Sequence, residues 1–416
     1  VYSLNKITQS NNFLKLSEFK NISLLDVAFC IFFAVATNAD LMVNPILWWG
    51  SIALIIVTQF ILNRGKLKFN SSKFKVWIFM FLITCTLSIV YSINRAISID
   101  QLKTLIILAL VMIYVESELN NLNSIEKMIM LYVIGVGMTL IYVLLTQDLN
   151  QFQLAIHGEA STGRWNGNEI GMNAAMALIL ILYLFPKAKN PLLKIYYIIV
   201  VTASLYLIYW MGSRKTIVFF ILGVCGVILL RRPKKIIRNL LLVCCTITVS
   251  WNLLMEIPSL YQNVGWRLEA LTYSITGKGK ADSSTLLREK YIKVGIESFK
   301  ESPLIGYGVG TFSEINKAKT NHNTYSHNNF IEIAVGMGLI GFIFYYWIYI
   351  YLIMKYLKLF IYKRTSFLVS VLFIVFVLYL VTQVGLVTYE SLIQCLLILF
   401  LYKAIEFSQS SYIKGR

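Results

Sequence analysis

The chain has 416 residues, of which 57% are hydrophobic and only 14% charged, and its mean hydropathy is +0.68. A soluble protein of this length needs far more charge to cover its surface, so the composition excludes a soluble domain. The net charge of +18 is spread over loops between apolar runs, not gathered on one soluble face, which argues against nucleic acid as a partner.

The first 23 residues are polar and lack the apolar core and small-residue cleavage site of a secretory signal. Twelve apolar runs follow, at 24–39, 45–62, 76–93, 104–118, 128–146, 169–185, 195–211, 216–230, 239–256, 330–354, 367–386 and 391–403. Most are long enough to cross about 30 Å of hydrocarbon as a helix. The fold class expected is therefore all-α: a polytopic membrane protein in a single domain over residues 1–416, with a long, partly helical extracytoplasmic loop at 257–329. The cysteines at 30, 85, 225, 244, 245 and 395 all fall in these runs, so no disulfide framework or cysteine zinc site is indicated.

With the N-terminus inside, the inside segments hold 24 of the 38 basic residues and the short outside loops hold 5. That bias places both termini in the cytoplasm and the long loop outside. Ionisable residues within the runs, such as Asp26, Asp40, Glu169, Glu332, Glu390 and Lys403, all sit close to a predicted end. Secondary transporters place acids, bases or broken helices near the midplane, and neither signature is expected here.

The interval 257–329 is the long polar stretch of the chain. Within it, 283–301 reads as a helix capped by Asp282 or Ser283. Leu287, Tyr291, Ile292, Gly295, Ile296 and Phe299 share one face, with Arg288 in their midst. A cation there needs an anionic partner, either a structural carboxylate or a substrate diphosphate. The run Pro303 to Gly310 reads as a glycine turn, since Gly306-x-Gly308-x-Gly310 lacks the spacing of a dinucleotide loop. His327 precedes the tenth run, where a neutral imidazole could accept a proton from a sugar hydroxyl, while Asn329 and Glu332 have the spacing of a capping pair. Elsewhere on the same face, Gly212-Ser213-Arg214-Lys215 reads as a tight outer turn whose Arg214 suits bidentate phosphate binding or lipid anchoring. The interval 147–168 adds His157, Glu159 and Arg164. No Asp-x-Asp clamp, metal-ligand histidine spacing or Gly-x-Ser-x-Gly elbow occurs, so no metal or cofactor is expected.

Taken together, Gly212-Ser213-Arg214-Lys215 opening a span, Arg288 ahead of Pro303-x-x-Gly306-x-Gly308, and His327-Asn328-Asn329 opening the next span resemble the O-antigen ligase and polymerase superfamily over about residues 160–345. The resemblance implies metal-independent, inverting transfer from an undecaprenyl-diphosphate-linked oligosaccharide at the outer face of the bacterial cytoplasmic membrane. It makes Arg214 and Arg288 diphosphate ligands and His327 the base. Arg267, Arg164, Lys215, Asn328 and Tyr325 become substrate contacts. The acceptor would be a lipid-linked repeat for a polymerase or lipid A core for a ligase, with membrane lipids, chain-length regulators and flippases as further partners. Of these, a polymerase is the expectation. Its alternatives are the ligase, a flippase or exporter of the same glycan, and an envelope scaffold.

Overall fold

The structure, a computed structural model, describes residues 22–62, 71–157, 165–231, 235–270 and 283–413. Among these the regular structure is helical, and a helix stands at each of the twelve apolar runs. Eight described helices are long and apolar enough to cross a membrane, and two shorter apolar ones cover Leu24–Ala36 and Phe367–Thr382. The helices Lys73–Ser88 and Arg214–Arg231 complete the set. A helix satisfies its own backbone polar groups, which is why apolar runs in lipid adopt it.

The chain divides into two compact units, one built from residues 1–66 and 122–211, the other from 67–121 and 212–416. In the first, Leu24–Ala36 packs on Pro45–Leu62 and Leu122–Thr146, and Gly167–Leu184 packs on Pro191–Met211. Ser23 and Asp26 form a reciprocal cap at the start of this unit, with Asp26 also 2.6 Å from Lys127 Nζ. Pro45 is the first residue of its helix, a position where its missing N–H costs nothing.

The second unit holds the polar interval. Its centre is the 33-residue helix Asn329–Ile361, which packs against Lys73–Ser88, Ser283–Glu301 and Leu392–Ile413. Tyr345, Tyr346 and Tyr349 line its buried side, and Trp77 Nε1 donates to the Tyr345 carbonyl at 2.9 Å. The helix Ile236–Glu256 is the opposite case: only 11% of its apolar window is buried, as suits a helix that faces lipid.

Two expectations about the spans need correction. The helix Asn329–Ile361 is broken at Gly338, whose φ of 61° leaves the helical region. The cause is the glycine turn: Tyr307 N–H donates to the Val335 carbonyl at 3.0 Å and Gly308 N–H to the Gly336 carbonyl at 2.7 Å. Leu339 and Ile340 N–H groups turn back onto the Pro303 and Leu304 carbonyls at 2.8 and 3.2 Å. A side chain at Gly338 would run into the Leu304 carbonyl group, so only glycine fits. The last helix also ends later than expected: Leu392–Ile413 runs on past residue 403, where Lys403 stands 3.6 Å from buried Glu116, which is also 3.6 Å from Lys75.

Candidate active site

The helix Ser283–Glu301 forms with the bounds its sequence implies, although its cap at Asp282 lies outside the described residues. Its buried stripe is rotated from the one expected. Tyr291, Val294, Gly295 and Ser298 are buried, while Leu287 is 38% and Ile296 44% exposed. Gly295 permits that rotation because a side chain there would collide with Ile331. Arg288 is half-buried and leads this stripe, one turn before Tyr291.

Tyr291 neighbours both histidines of this segment. Its hydroxyl shares a 3.1 Å hydrogen bond with His322 Nδ1, and its ring lies at 15° to the His327 ring with centroids 6.2 Å apart. Tyr325 covers His327 from 4.1 Å. A cavity of about 450 Å³ opens here, lined by Arg288, Tyr291, His327 and the segment 321–324 together with Leu287. That volume is in the range of small-molecule sites.

His327 sits in the left-handed region, with φ 54°. That conformation displaces the helix start by one residue, so the cap is Asn328 and not Asn329. Asn328 Oδ1 accepts from the N–H groups of Phe330 and Ile331 at 3.0 and 3.2 Å, which leaves only its amide nitrogen for a substrate. The expected pairing of Asn329 with Glu332 is absent. Glu332 instead accepts from Ser326 N–H at 2.9 Å, and Ser326 Oγ donates to the Asn328 carbonyl at 2.7 Å, fixing both neighbours of His327. Burial, then the charges of Arg288 and Lys215, push the His327 imidazole from 6.5 down to about 4. It is therefore neutral at pH 7 and has a lone pair to accept a proton.

Behind the cavity lies a group of cations. Arg214 and Lys215 are the first two residues of the helix Arg214–Arg231, so the turn before them is shorter than expected. Arg214, only 9% exposed, donates to the Arg267 carbonyl at 3.3 Å, and Arg267 donates to the Gly212 carbonyl at 3.2 Å. This crossed pair of bonds ties the Gly212–Arg214 turn to the segment at Arg267. Lys215 Nζ donates to the Gly385 carbonyl and lies within electrostatic reach of Arg214 and Arg288. Arg214, Lys215 and Arg267 are not themselves among the cavity's lining residues. Arg164 and Glu159 lie outside the described residues, as does the side chain of His157.

Sequence reasoning missed three participants. Tyr291 was visible only as one apolar-face residue, and His322 only as a third histidine. Asn329 is a fully buried hub: Nδ2 donates to Tyr346 and Gln383, and Oδ1 accepts from Thr388 and Tyr389 N–H. It ties down the 383–391 segment, whose Gly385 holds Lys215. Nothing local in the sequence signals partners so far along the chain. Among the described residues no group of histidines, cysteines and carboxylates is placed to hold a metal.

No curated protein and no solved structure matches the chain. Residues 198–346, which include Arg214, Arg267, Arg288 and His327, match the family model described as O-antigen ligase. Over that span the chain is similar to the O-antigen ligase family.

Proposed function

We propose that this protein polymerises undecaprenyl-diphosphate-linked oligosaccharide repeats at the outer face of the bacterial cytoplasmic membrane, by an inverting, metal-independent transfer. Its twelve helices would cross the membrane with both termini inside. The observation that carries the reading is the pairing of Arg288 and His327 on one cavity wall, backed by Arg214, Lys215 and Arg267.

The chemistry follows from that arrangement. The donor's anomeric carbon bears a diphosphate, so no nucleotide is needed to activate it. An acceptor hydroxyl forms the new bond to that carbon while the bond to the diphosphate oxygen breaks. Guanidiniums stabilise the charge that grows on the departing diphosphate, and His327 takes the hydroxyl proton. Donor binding also tunes the base. The cations that depress His327 are neutralised by the diphosphate, so the imidazole gains basicity when the substrate arrives.

A second reading, transfer of finished glycan to lipid A core, is favoured by the description of the matching family model. Both readings use the same residues, so products separate them. Cells lacking the protein should accumulate single repeats on undecaprenol if it is a polymerase. Accumulated polymer on undecaprenol indicates the ligase and overturns the polymerase reading. Unchanged lipid-linked products overturn both.

A further inference from the structure

We infer that His322, aimed by Tyr291, binds the acceptor: the ring nitrogen left over by Tyr291 hydrogen-bonds a hydroxyl of the sugar that receives the glycan. This rests on the transfer reading above.

The wall that carries His322 is built, not incidental. The helix Phe312–Thr320 ends in a left-handed Asn321, with φ 63°, which turns the chain toward the cavity. Fully buried Asn316 then clamps the segment, its amide donating to the His322 and Thr324 carbonyls at 3.1 and 3.2 Å. His322 N–H donates to Thr320 Oγ1 at 3.2 Å. Such investment in a four-residue stretch at a cavity edge holds His322 in a defined position.

Tyr291 supplies the aim. Its hydroxyl occupies Nδ1 of His322, so Nε2 is the nitrogen that remains for another partner, as donor or acceptor according to the tautomer. The Tyr291 ring neighbours two imidazoles at nearly equal centroid distances, 6.1 Å to His322 and 6.2 Å to His327. Two imidazoles lining one cavity can engage different hydroxyls of one sugar, one to hold it and one to deprotonate it.

The lining also mixes two kinds of chemistry. Arg288 is its cation, and Asn321, His322, Asn323 and Thr324 add amide, imidazole and hydroxyl groups. A guanidinium suits the diphosphate of the donor, and neutral directed donors and acceptors suit sugar hydroxyls.

The test uses the purified full-length protein, a defined lipid-diphosphate-linked repeat as donor, and a synthetic repeat-unit oligosaccharide as acceptor. Two products are measured: glycan transferred to the acceptor, and free oligosaccharide released by water. Water needs no acceptor subsite. His322→Ala should raise the acceptor KM about 10- to 100-fold, the loss of a hydrogen bond or two, with transfer falling far more than donor hydrolysis. His322→Gln, whose amide reaches the Nε2 position, should recover most of the transfer, whereas His322→Asn, which reaches only Nδ1, should not. Tyr291→Phe keeps the ring and removes only the hydroxyl on His322, so it should raise the acceptor KM several-fold, with transfer falling more than hydrolysis. If His322→Ala loses transfer and hydrolysis equally, or keeps its acceptor dependence, the inference is overturned while the transfer reading stands. A wild-type protein that consumes no lipid-diphosphate donor overturns the transfer reading, and this inference with it.

Discussion

Removing the charge at Arg288 should make His327 more basic. The imidazole stands at about 4 against an ordinary 6.5, with burial the largest cause and Arg288 and Lys215 the others. Burial survives the substitution, so recovery is partial. A unit charge at about 10 Å in an effective dielectric of about 20 acts with about 1.7 kcal/mol, or about one pH unit. Arg288→Ala should therefore move His327 up by about one pH unit, still short of its ordinary value. Arg288→Lys keeps the charge and should leave the titration in place, while donor use falls because the planar fork is gone. The chain has 3 histidines, so histidine-labelled NMR with a His327→Gln reference identifies the signal. The kinetic counterpart is the acid limb of kcat/KM: a base works only when neutral, so activity falls as pH drops through its pKa. That limb should shift to higher pH in Arg288→Ala, beneath a lower plateau. A His327 that titrates near 6.5 in the wild type, or does not move in Arg288→Ala, refutes the coupling.

Two other outcomes test the support and the orientation of the site. Asn329→Ala removes four buried side-chain hydrogen bonds and frees the segment that holds Lys215. It should lower stability by about 3–5 kcal/mol, read by thermal unfolding in detergent; a change within about 1 kcal/mol denies Asn329 its role as a hub. In a cysteine-free background, a cysteine introduced near Lys317 should react with an impermeant reagent from outside and one near Lys358 should not. The reverse pattern would invert the orientation drawn from the basic residues.

Periodicity and composition alone determined the helices. A helix in lipid closes its own hydrogen bonds, so its existence is a local property, and each of the twelve apolar runs carries one. Arg288 was legible for a related reason, since its place on the stripe of Ser283–Glu301 follows from 3.6-residue spacing. What spacing left undecided was rotation. Gly295 lets Ile331 approach, and that contact turned the stripe so that Leu287 and Ile296 face outward. The break at Gly338 was equally hidden, because it exists only where the Pro303–Gly308 turn offers backbone partners to a distant helix. The left-handed His327 shifted a cap by one residue and turned Glu332 from a helix cap into a brace for Ser326. Tyr291, His322 and Asn329 act through partners 17 to 60 residues away, and hydrogen bonds over such separations depend on how elements pack. Side-chain types and their periodic placement thus belong to the sequence, whereas the convergence of Arg288, two histidines and a tyrosine on one cavity was decided only in three dimensions.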